Sequence, residues 1–191
     1  MSDEIDNNFK FCPKCGSKNI SYLNDRKWAC ADCSFKLYNN VAAAVGLIIT
    51  DENNNVFFEV RAKNPCKGLL ALPGGFCDPG ETAEDAALRE CKEELGIEPL
   101  QVKYLCSFPN VYDYKNIRYK TCDIFFTTKM PNSTSFAEQI KLQEKEVSAV
   151  CVKSIKSEED IENLPLAFES ARKTLKIWLS KQNTQNEQNR S

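Results

Sequence analysis

From Val41 onward, short apolar stretches alternate with turn-forming residues, a pattern typical of β-strands joined by tight connections. The stretches VAAAVGLIIT (41–50) and VFFEVRA (56–62) flank the turn-prone residues DENNN, which predicts two paired strands. The stretch GLLALPGG (68–75) predicts a third strand that ends at glycines. Three further strands are predicted at 102–107, 118–128 and 147–152.

Two segments have helical periodicity instead. The first, residues 82–95, begins at Thr82, a predicted N-cap with Asp85 three residues later, and precedes Gly96, which is suited to end a helix. Its apolar residues recur four apart and form the face that we expect to pack on a sheet: Ala83, Ala87, Cys91 and Leu95. A second helix is predicted from about 166 to 180, and the polar residues 182–191 are predicted to be a disordered tail.

The chain has ten cysteines and no histidine, so its chemistry must use thiolates and carboxylates. Cys12 with Cys15 and Cys30 with Cys33 form two C-x2-C pairs, and two such turns complete the tetrahedral sulfur shell that Zn²⁺ prefers. Four thiolates leave no open position, so this zinc is predicted to be structural. The alternative is a disulfide scaffold, although such scaffolds are usually shorter. We therefore predict a zinc ribbon at residues 9–38.

The first predicted helix carries a concentration of acidic residues. Glu90, Glu93 and Glu94 share one face of little more than a single turn. A solvated helix face is one interpretation of this run. However, like charges at this spacing destabilise a helix unless a cation neutralises them, so the acidic face is also a candidate cation site.

Two turn sequences precede the acidic residues, LPGG at 72–75 and DPGE at 78–81, and they can bring the backbone close to a ligand. With the helix they fit the pattern G-x5-E-x7-R-E-U-x-E-E-x-G-U, where U is a bulky apolar residue. Its positions are filled by Gly75, Glu81, Arg89, Glu90, Cys91, Glu93, Glu94, Gly96 and Ile97. This pattern resembles the Nudix box, and its one departure is Cys91, where a larger aliphatic residue is typical.

The resemblance implies an α/β fold, an α/β/α sandwich around a mixed sheet, over residues 40–181 behind the zinc ribbon. It also implies that Mg²⁺ or Mn²⁺ supports cleavage of a phosphoanhydride in a nucleoside diphosphate linked to another moiety. A divalent cation is needed because a pyrophosphate repels both the carboxylates and the attacking water. Mg²⁺ binds hard oxygen ligands, polarises the phosphoryl group and lowers the pKa of a bound water.

The resemblance assigns roles to individual residues. Glu90 and Glu94 are expected to bind the metal, and Glu93 is expected to be a third ligand or the catalytic base; which glutamate deprotonates the water stays open. A further acid is expected just before a late strand, with Glu146 as the first choice for a metal ligand and Glu144 as the second. Structural support of the site is assigned to Gly75, Glu81 and Arg89, the last two as an ion pair.

A four-cysteine ribbon followed by this domain is similar to the NADH pyrophosphatase group, which splits NAD(H) into a mononucleotide and AMP. Two features depart from that group. Only eight residues precede the ribbon, and SFPNVYDYKN at 107–116 lacks most of the group's S-Q-P-W-P-F-P-x-S motif. The expected substrate is NADH, NAD or ADP-ribose. Hydrolysis of a nucleoside triphosphate or of NAD-capped RNA, and a non-catalytic nucleotide sensor, stay open as alternatives.

Three further residues are candidates for substrate binding. Phe108 and Tyr112 lie on a predicted loop and could stack on a base, which is worth ~1–3 kcal/mol per base. Core packing is the alternative for Phe108. Arg61 follows a predicted strand and could contact a phosphate or form a surface ion pair.

The charge and the apolar runs restrict the partners. The 25 basic and 27 acidic residues do not create the positive field of a general nucleic-acid binder, so we expect no general nucleic-acid binding. The resemblance implies a small-molecule dinucleotide or nucleoside diphosphate derivative as the partner. No apolar run approaches the ~20 residues that span a bilayer, and the start MSDEIDNN is unlike a signal peptide. We expect a cytoplasmic protein without a membrane partner. Nudix enzymes with ribbons are often dimers, so the resemblance makes a homodimer one option.

Overall fold

The structure is a computed structural model that describes residues 9–24, 26–98, 101–114, 117–130 and 140–188. These residues belong to two compact units. The N-terminal unit contains the chain up to Ala42 together with Val111–Lys120, and the larger unit contains Ala43–Asn110 and the chain from Thr121 onward. The sequence predicted a division near residue 39 but did not connect 111–120 with the N-terminal unit.

The N-terminal unit contains a small antiparallel sheet. Its strands are β1 (Ile20–Leu23), β2 (Lys27–Cys30) and β3 (Lys36–Tyr38), in the order β1-β2-β3. The buried Trp28 contacts Phe9 and Tyr22, with ring centroids 5.0 and 4.8 Å apart respectively. One buried indole with two partly exposed neighbours is too small a core to hold such a segment alone, so a metal is the expected source of its stability.

A six-stranded sheet forms the centre of the larger unit. The strand order is β6-β5-β4-β8-β7, and β9 pairs with β5. The strands are β4 (Ala42–Thr50), β5 (Val56–Arg61), β6 (Leu70–Ala71), β7 (Lys103–Tyr114), β8 (Ile117–Lys129) and β9 (Val147–Lys153).

Helices cover both faces of this sheet. The helices are α1 (Ala83–Leu95), α2 (Glu158–Glu162) and α3 (Glu169–Gln188). Alternate residues of a strand point to opposite faces. Leu47 and Ile49 accordingly pack in the core that contains α1, whereas Ile48 packs in the core that contains α2 and α3. The predicted α/β/α sandwich is therefore confirmed. No helix within the described ranges is long and apolar enough to cross a membrane.

Three local predictions were wrong. Residues 108–114 form part of strand β7 instead of a loop, and because β7 is an edge strand it tolerates Pro109, which cannot donate a ladder hydrogen bond. Helix α3 continues to Gln188, so residues 182–188 extend a helix where a disordered tail was predicted. The glutamines and the glutamate of this segment are good helix formers, and a packed helix propagates into a polar segment at little cost. The short helix α2 was not predicted, although Ser157 and Asp160 form its capping box.

Candidate active site

Helix α1 is fixed at both ends and along one face. The Thr82 hydroxyl accepts a hydrogen bond from the Asp85 backbone N–H (3.1 Å), and Gly96 ends the helix in the left-handed conformation with φ 70°. Both cap predictions are confirmed. The predicted apolar face packs in the core, with Ala87, Cys91 and Leu95 almost fully buried. This packing sets the rotation of α1 and hence the directions of its glutamates.

The loop before α1 runs alongside strand β4. The Val45 N–H donates to the Gly75 carbonyl (2.8 Å) and the Leu47 N–H donates to the Pro73 carbonyl (2.9 Å). Between these contacts, Gly74 has φ 149°, and a Cβ at this position would lie 2.0 Å from the Val45 carbonyl oxygen. Only glycine fits here, because any side chain would collide with backbone that the sheet holds in place.

Two glutamates of α1 converge on this glycine loop. The Glu94 side chain is 4% exposed and accepts a hydrogen bond from the Gly74 N–H at 2.8 Å. The Glu90 carboxylate lies against Gly75, where an added Cβ would be 2.5 Å from Glu90 Oε1. The glycine predicted to support the site therefore leaves the space that the Glu90 carboxylate occupies. Glu93 points outward, with 51% of its side chain exposed.

Arg89 joins the loop to the helix. Its guanidinium donates Nε to Glu81 Oε1 (2.8 Å) and Nη2 to Glu81 Oε2 (3.0 Å), the bidentate geometry of a strong ion pair. Nη1 donates to Glu90 Oε1 (2.8 Å), and Nη2 also donates to the Phe76 carbonyl (3.0 Å). The Arg89 hydrogen bonds lower the pKa of Glu81, and Glu81 in turn raises the pKa of Arg89. The Arg89 guanidinium thus holds both Glu81 of the loop and Glu90 of the helix.

A fourth glutamate lies in the site that sequence analysis did not identify. Glu59 on β5 is 2% exposed and shares a hydrogen bond with the Glu94 carboxyl. Its Oε2 atom is buried and has no hydrogen-bond partner among the described residues. Burial raises the pKa of Glu59 to about 7, and burial followed by the Glu59 charge raises the pKa of Glu94 well above its ordinary value. The available signal was a carboxylate in the middle of the apolar stretch VFFEVRA, because a buried charge requires a partner.

The carboxylates fit a hard divalent cation. Within the described part of the chain, neither Glu59 nor Glu94 forms an ion pair with lysine or arginine. The nearby Arg61 charge only partly offsets the effect of burial on the pKa of Glu59, so the buried carboxyl pair has no cation in direct contact. Oxygen ligands of this type suit Mg²⁺ or Mn²⁺. Among the described residues, three or more potential ligand atoms approach within 4.8 Å of one another only in the cysteine group, so the carboxylate oxygens are less closely gathered. Mg²⁺ is compatible with few protein ligands, because it keeps several waters and uses substrate phosphates as ligands.

The four cysteines of the N-terminal unit form the compact group. Their sulfur atoms all lie within 4.8 Å of one another, with Cys12 to Cys33 and Cys15 to Cys30 both at 3.7 Å. A tetrahedral zinc site with Zn–S bonds of about 2.3 Å has sulfur atoms about 3.8 Å apart. The cluster therefore has the spacing of a zinc ribbon, and it can hold the ion.

The other predicted acids lie near the site or at its edge. Glu146 forms an ion pair with Lys63 (2.5 Å), and its charge contributes to the raised pKa of both Glu59 and Glu90, where burial is the largest cause. It is thus close enough to influence the carboxylates, but its own carboxylate is paired. Glu144 is exposed.

Each predicted substrate residue has protein contacts of its own in the structure. Arg61 donates Nε to the Pro65 carbonyl (2.8 Å), and its guanidinium lies 5.2 Å from the Phe168 ring centroid, so it anchors the loop after β5. Phe108 packs against the core beside α3, in agreement with the alternative interpretation of this residue. Tyr112 belongs to the N-terminal unit and stacks with Tyr114 at 6.2 Å.

Comparison with known proteins identifies the family. The NUDIX domain matches residues 41–177. The ADP-ribose pyrophosphatase of Methanocaldococcus jannaschii is 48% identical over 83 residues, 44% of this chain and 45% of that protein. The NAD-capped RNA hydrolase NudC of Vibrio atlanticus is 31% identical over 100 residues, 52% of this chain and 36% of that protein. This chain thus spans less than half the length of these two relatives.

The fold comparison agrees with the sequence comparison. The crystal structure of a NUDIX hydrolase from Nitrosomonas europaea superposes with a TM-score of 0.65 and 23% identity, over 92% of this chain and 93% of that one. At this identity the likeness is evidence for the fold alone. The domain match over residues 41–177, which is more than half of the chain, shows that the chain belongs to the NUDIX family.

Proposed function

We propose that the protein is a divalent-metal-dependent pyrophosphohydrolase that cleaves a nucleoside diphosphate linked to another moiety, with ADP-ribose, NADH or NAD as the substrate class. The observation that carries the proposal is the buried Glu94 carboxyl, which faces the buried Glu59 carboxyl and has no lysine or arginine ion-pair partner in the part of the chain that the structure describes. A cation that arrives with a pyrophosphate supplies this missing charge. The similarity to the Methanocaldococcus jannaschii ADP-ribose pyrophosphatase supports the substrate class.

In this proposal Glu90 and Glu94 hold the Mg²⁺ or Mn²⁺ ion. When bound, the ion polarises the phosphoryl group and lowers the pKa of a coordinated water. The Gly74 N–H orients the Glu94 carboxylate, and Arg89 orients that of Glu90. Because Arg89 also holds Glu81, the glycine loop and the helix keep one relative position while the substrate binds.

Glu93 is proposed as the base. Its side chain is the most exposed of the three box glutamates and can reach a water outside the buried carboxyl pair. Its hydrogen bond from Arg89 is long (3.4 Å), so its carboxylate is free to move toward a nucleophile. Glu146 is proposed as the acid outside the box, because its charge already acts on Glu59 and Glu90.

The N-terminal cysteines are proposed to hold a structural zinc ion. Four thiolates complete a tetrahedral shell and leave no position for water or substrate, so this metal stabilises the ribbon and takes no part in the cleavage. The cytoplasmic location stays a prediction from the sequence.

The proposal is tested with a substrate panel. Purified protein is incubated with ADP-ribose, NADH, NAD, diadenosine polyphosphates and nucleoside triphosphates, each with Mg²⁺ or Mn²⁺, and the products are separated by chromatography. We expect AMP from ADP-ribose or from NADH and NAD, and no turnover without a divalent cation. Bound Mn²⁺ with no turnover of any compound would instead indicate a nucleotide sensor.

Hydrolysis of NAD-capped RNA is a second candidate function. The similarity to the Vibrio atlanticus NAD-capped RNA hydrolase NudC supports it. The comparison that separates the two candidates is kcat/KM for NAD and for an NAD-capped RNA of about twenty nucleotides in the same buffer. A preference for the capped RNA of more than tenfold would favour the second candidate.

A further inference from the structure

We propose that Glu59 supplies a further carboxylate to the divalent-cation site formed by Glu90 and Glu94. This inference rests on the proposed metal-dependent function, and it adds a ligand from the sheet to the glutamates of helix α1. The residue belongs to neither the glycine loop nor the acidic helix.

The position of Glu59 in the sheet directs its side chain toward Glu94. Glu59 lies on β5 and pairs in register with Ala71 of β6 and Val150 of β9, so ordered strands flank it on both sides. The side chain is 2% exposed, and it shares a hydrogen bond with the Glu94 carboxyl. The sheet therefore fixes the position of this carboxylate, which is shielded from solvent.

A hydrogen bond between two carboxyls does not satisfy this pair. Among the described residues, Glu59 Oε2 is buried without a hydrogen-bond partner, and such an atom is costly in a protein interior. Arg61 is the nearest cation along the strand, and its charge partly offsets the effect of burial on the pKa of Glu59. Its Nε donates to the Pro65 carbonyl, and no Glu59–Arg61 ion pair is formed in the described part of the chain. A bound cation would use the free oxygen and also offset the repulsion between the two carboxylates.

The experiment measures Mn²⁺ binding by electron paramagnetic resonance of free Mn²⁺, together with the water-proton relaxation enhancement of bound Mn²⁺. We expect Glu59→Gln to weaken Mn²⁺ binding about 10- to 100-fold. We also expect a larger relaxation enhancement per bound ion, because water replaces the lost oxygen ligand. Glu52→Gln is the matched control, since Glu52 is an exposed residue just before the same strand, and its affinity should equal that of the wild type.

The outcomes separate this inference from the proposed function. If the wild type binds Mn²⁺ and Glu94→Gln loses it while Glu59→Gln stays within twofold, the inference is wrong and the function stands. If the wild type itself does not bind Mn²⁺, the proposed metal-dependent function is wrong, and the inference that rests on it is wrong as well. Should Glu59→Gln not fold, Glu59→Asp provides the test, because it keeps the charge and withdraws the oxygens by one methylene. An unchanged Mn²⁺ affinity in Glu59→Asp would likewise overturn the inference.

A second inference concerns the ribbon and depends on separate observations. We infer that one face of the sheet β1–β3 binds single-stranded nucleic acid. Residues 9–42 contain six basic and two acidic residues, which leaves 19 basic and 25 acidic residues in the rest of the chain. A zinc ion with four thiolates contributes a formal charge of about −2, and the segment stays positive. The near-neutral net charge of the whole chain is therefore the sum of a basic ribbon and an acidic remainder.

Strand register places the cations around an aromatic ring. Leu23, Lys27 and Tyr38 are opposite one another across the three strands, and Ser21, Ala29 and Lys36 form the next row of the same face. Tyr38 is 49% exposed, and the Arg26 guanidinium and the Lys27 ammonium each lie 5.9 Å from its ring centroid. An exposed ring among cations, beside small residues, is the composition of a surface that stacks bases and neutralises phosphates.

The face has no described carboxylate to oppose a polyanion. Asp32, the described acid of this segment, lies in the turn after β2 and accepts hydrogen bonds from Ser17 and Asn19. An acidic protein partner would be attracted by the same cations, but an exposed aromatic ring with two cations beside it favours a flexible chain of bases and phosphates.

The test uses fluorescence anisotropy of labelled twenty-nucleotide single strands of RNA and DNA at several salt concentrations. We expect binding that weakens with salt, about 5- to 100-fold weaker binding for Tyr38→Ala, and a log–log salt slope reduced by about 1.4 for Lys27→Gln with Lys36→Gln. Lys153→Gln, an exposed lysine of β9, is the control and should bind like the wild type. Equal losses in all variants, or no binding by the wild type, would overturn the inference. Turnover of ADP-ribose should not change in the ribbon variants, which separates this result from the active site.

Discussion

The two candidate metal sites of this protein differ in how they are assembled. The four cysteines lie within 21 residues of one another and already have the sulfur spacing of a tetrahedral ion. The carboxylate site uses residues from β5, a glycine loop and α1, and its oxygens are less closely gathered. The comparison shows that a closed structural site can be built from two local turns, whereas an open catalytic site requires tertiary contacts to bring its ligands together.

The largest expected effect is in the closed site. Replacing Cys30 with serine removes one of four thiolates, and because metal binding contributes about 10–16 kcal/mol to folding in such modules, the ribbon should unfold. We expect loss of one equivalent of zinc by elemental analysis and rapid proteolysis of the N-terminal segment. Cys122→Ser, at a cysteine outside the cluster, should keep the zinc. A ribbon that stays folded without zinc would remove the basis for the contrast between the two sites.

The next effect is in the open site. Glu94→Gln should reduce turnover about a thousandfold, because a metal ligand supplies several kcal/mol of charge stabilisation in the transition state. In metal-free protein the same change should increase stability, since it removes one charge from a buried carboxyl pair. Glu84→Gln, an exposed residue on the same helix, is the matched control. The measurements are steady-state kinetics and urea unfolding, and activity within a few-fold of the wild type would contradict the metal assignment.

The free energy of unfolding should depend on pH through the buried Glu59 of the carboxylate site, which has no counterpart in the cysteine cluster. Burial raises the pKa of Glu59 to about 7 from an ordinary value of 4.5, so the folded state keeps a proton that the unfolded state has released. The stabilisation from this group is fully present below pH 4.5 and is lost as pH rises through about 7. In buffer without Mg²⁺ or Mn²⁺, the advantage of Glu59→Gln over the wild type in free energy of unfolding should therefore increase over this range. A constant difference between the two proteins would show that Glu59 ionises normally.

The smallest effect concerns the support of the open site. Arg89→Lys removes the bidentate contact with Glu81, and a lysine cannot also reach Glu90 and the Phe76 carbonyl. We expect a loss of about 1–2 kcal/mol in stability and a decrease of about tenfold in kcat/KM. Arg118→Lys disrupts a similar bidentate pair with Asp113 at the surface and should change stability by less than about 0.5 kcal/mol. Equal losses of stability in the two variants would mean that the Arg89–Glu81 ion pair contributes no more than an ordinary surface ion pair.

Much of the fold could be predicted because its signals are local. The Thr82 cap, the Gly96 stop and the apolar face of α1 depend on residues within one helix, and all three predictions are confirmed. The predictions that were wrong depend on context. SFPNVYDY contains turn residues, but an edge position in the sheet makes it a strand. The end of α3 was placed too early because composition alone does not show how far a packed helix propagates.

The active site divides in the same way. Spacing along the chain determined the four cysteines and the three glutamates of α1, because turn and helix geometry repeat at known intervals. Only the tertiary structure revealed that Glu94 is buried, that Gly74 orients it, and that Glu59 faces it from another element. Burial and long-range pairing follow from how α1 packs on the sheet, and they decide which carboxylates lack a counter-charge. The sequence thus determined the donor atoms, and the packing of the sheet decided which of them lie together in the candidate cation site.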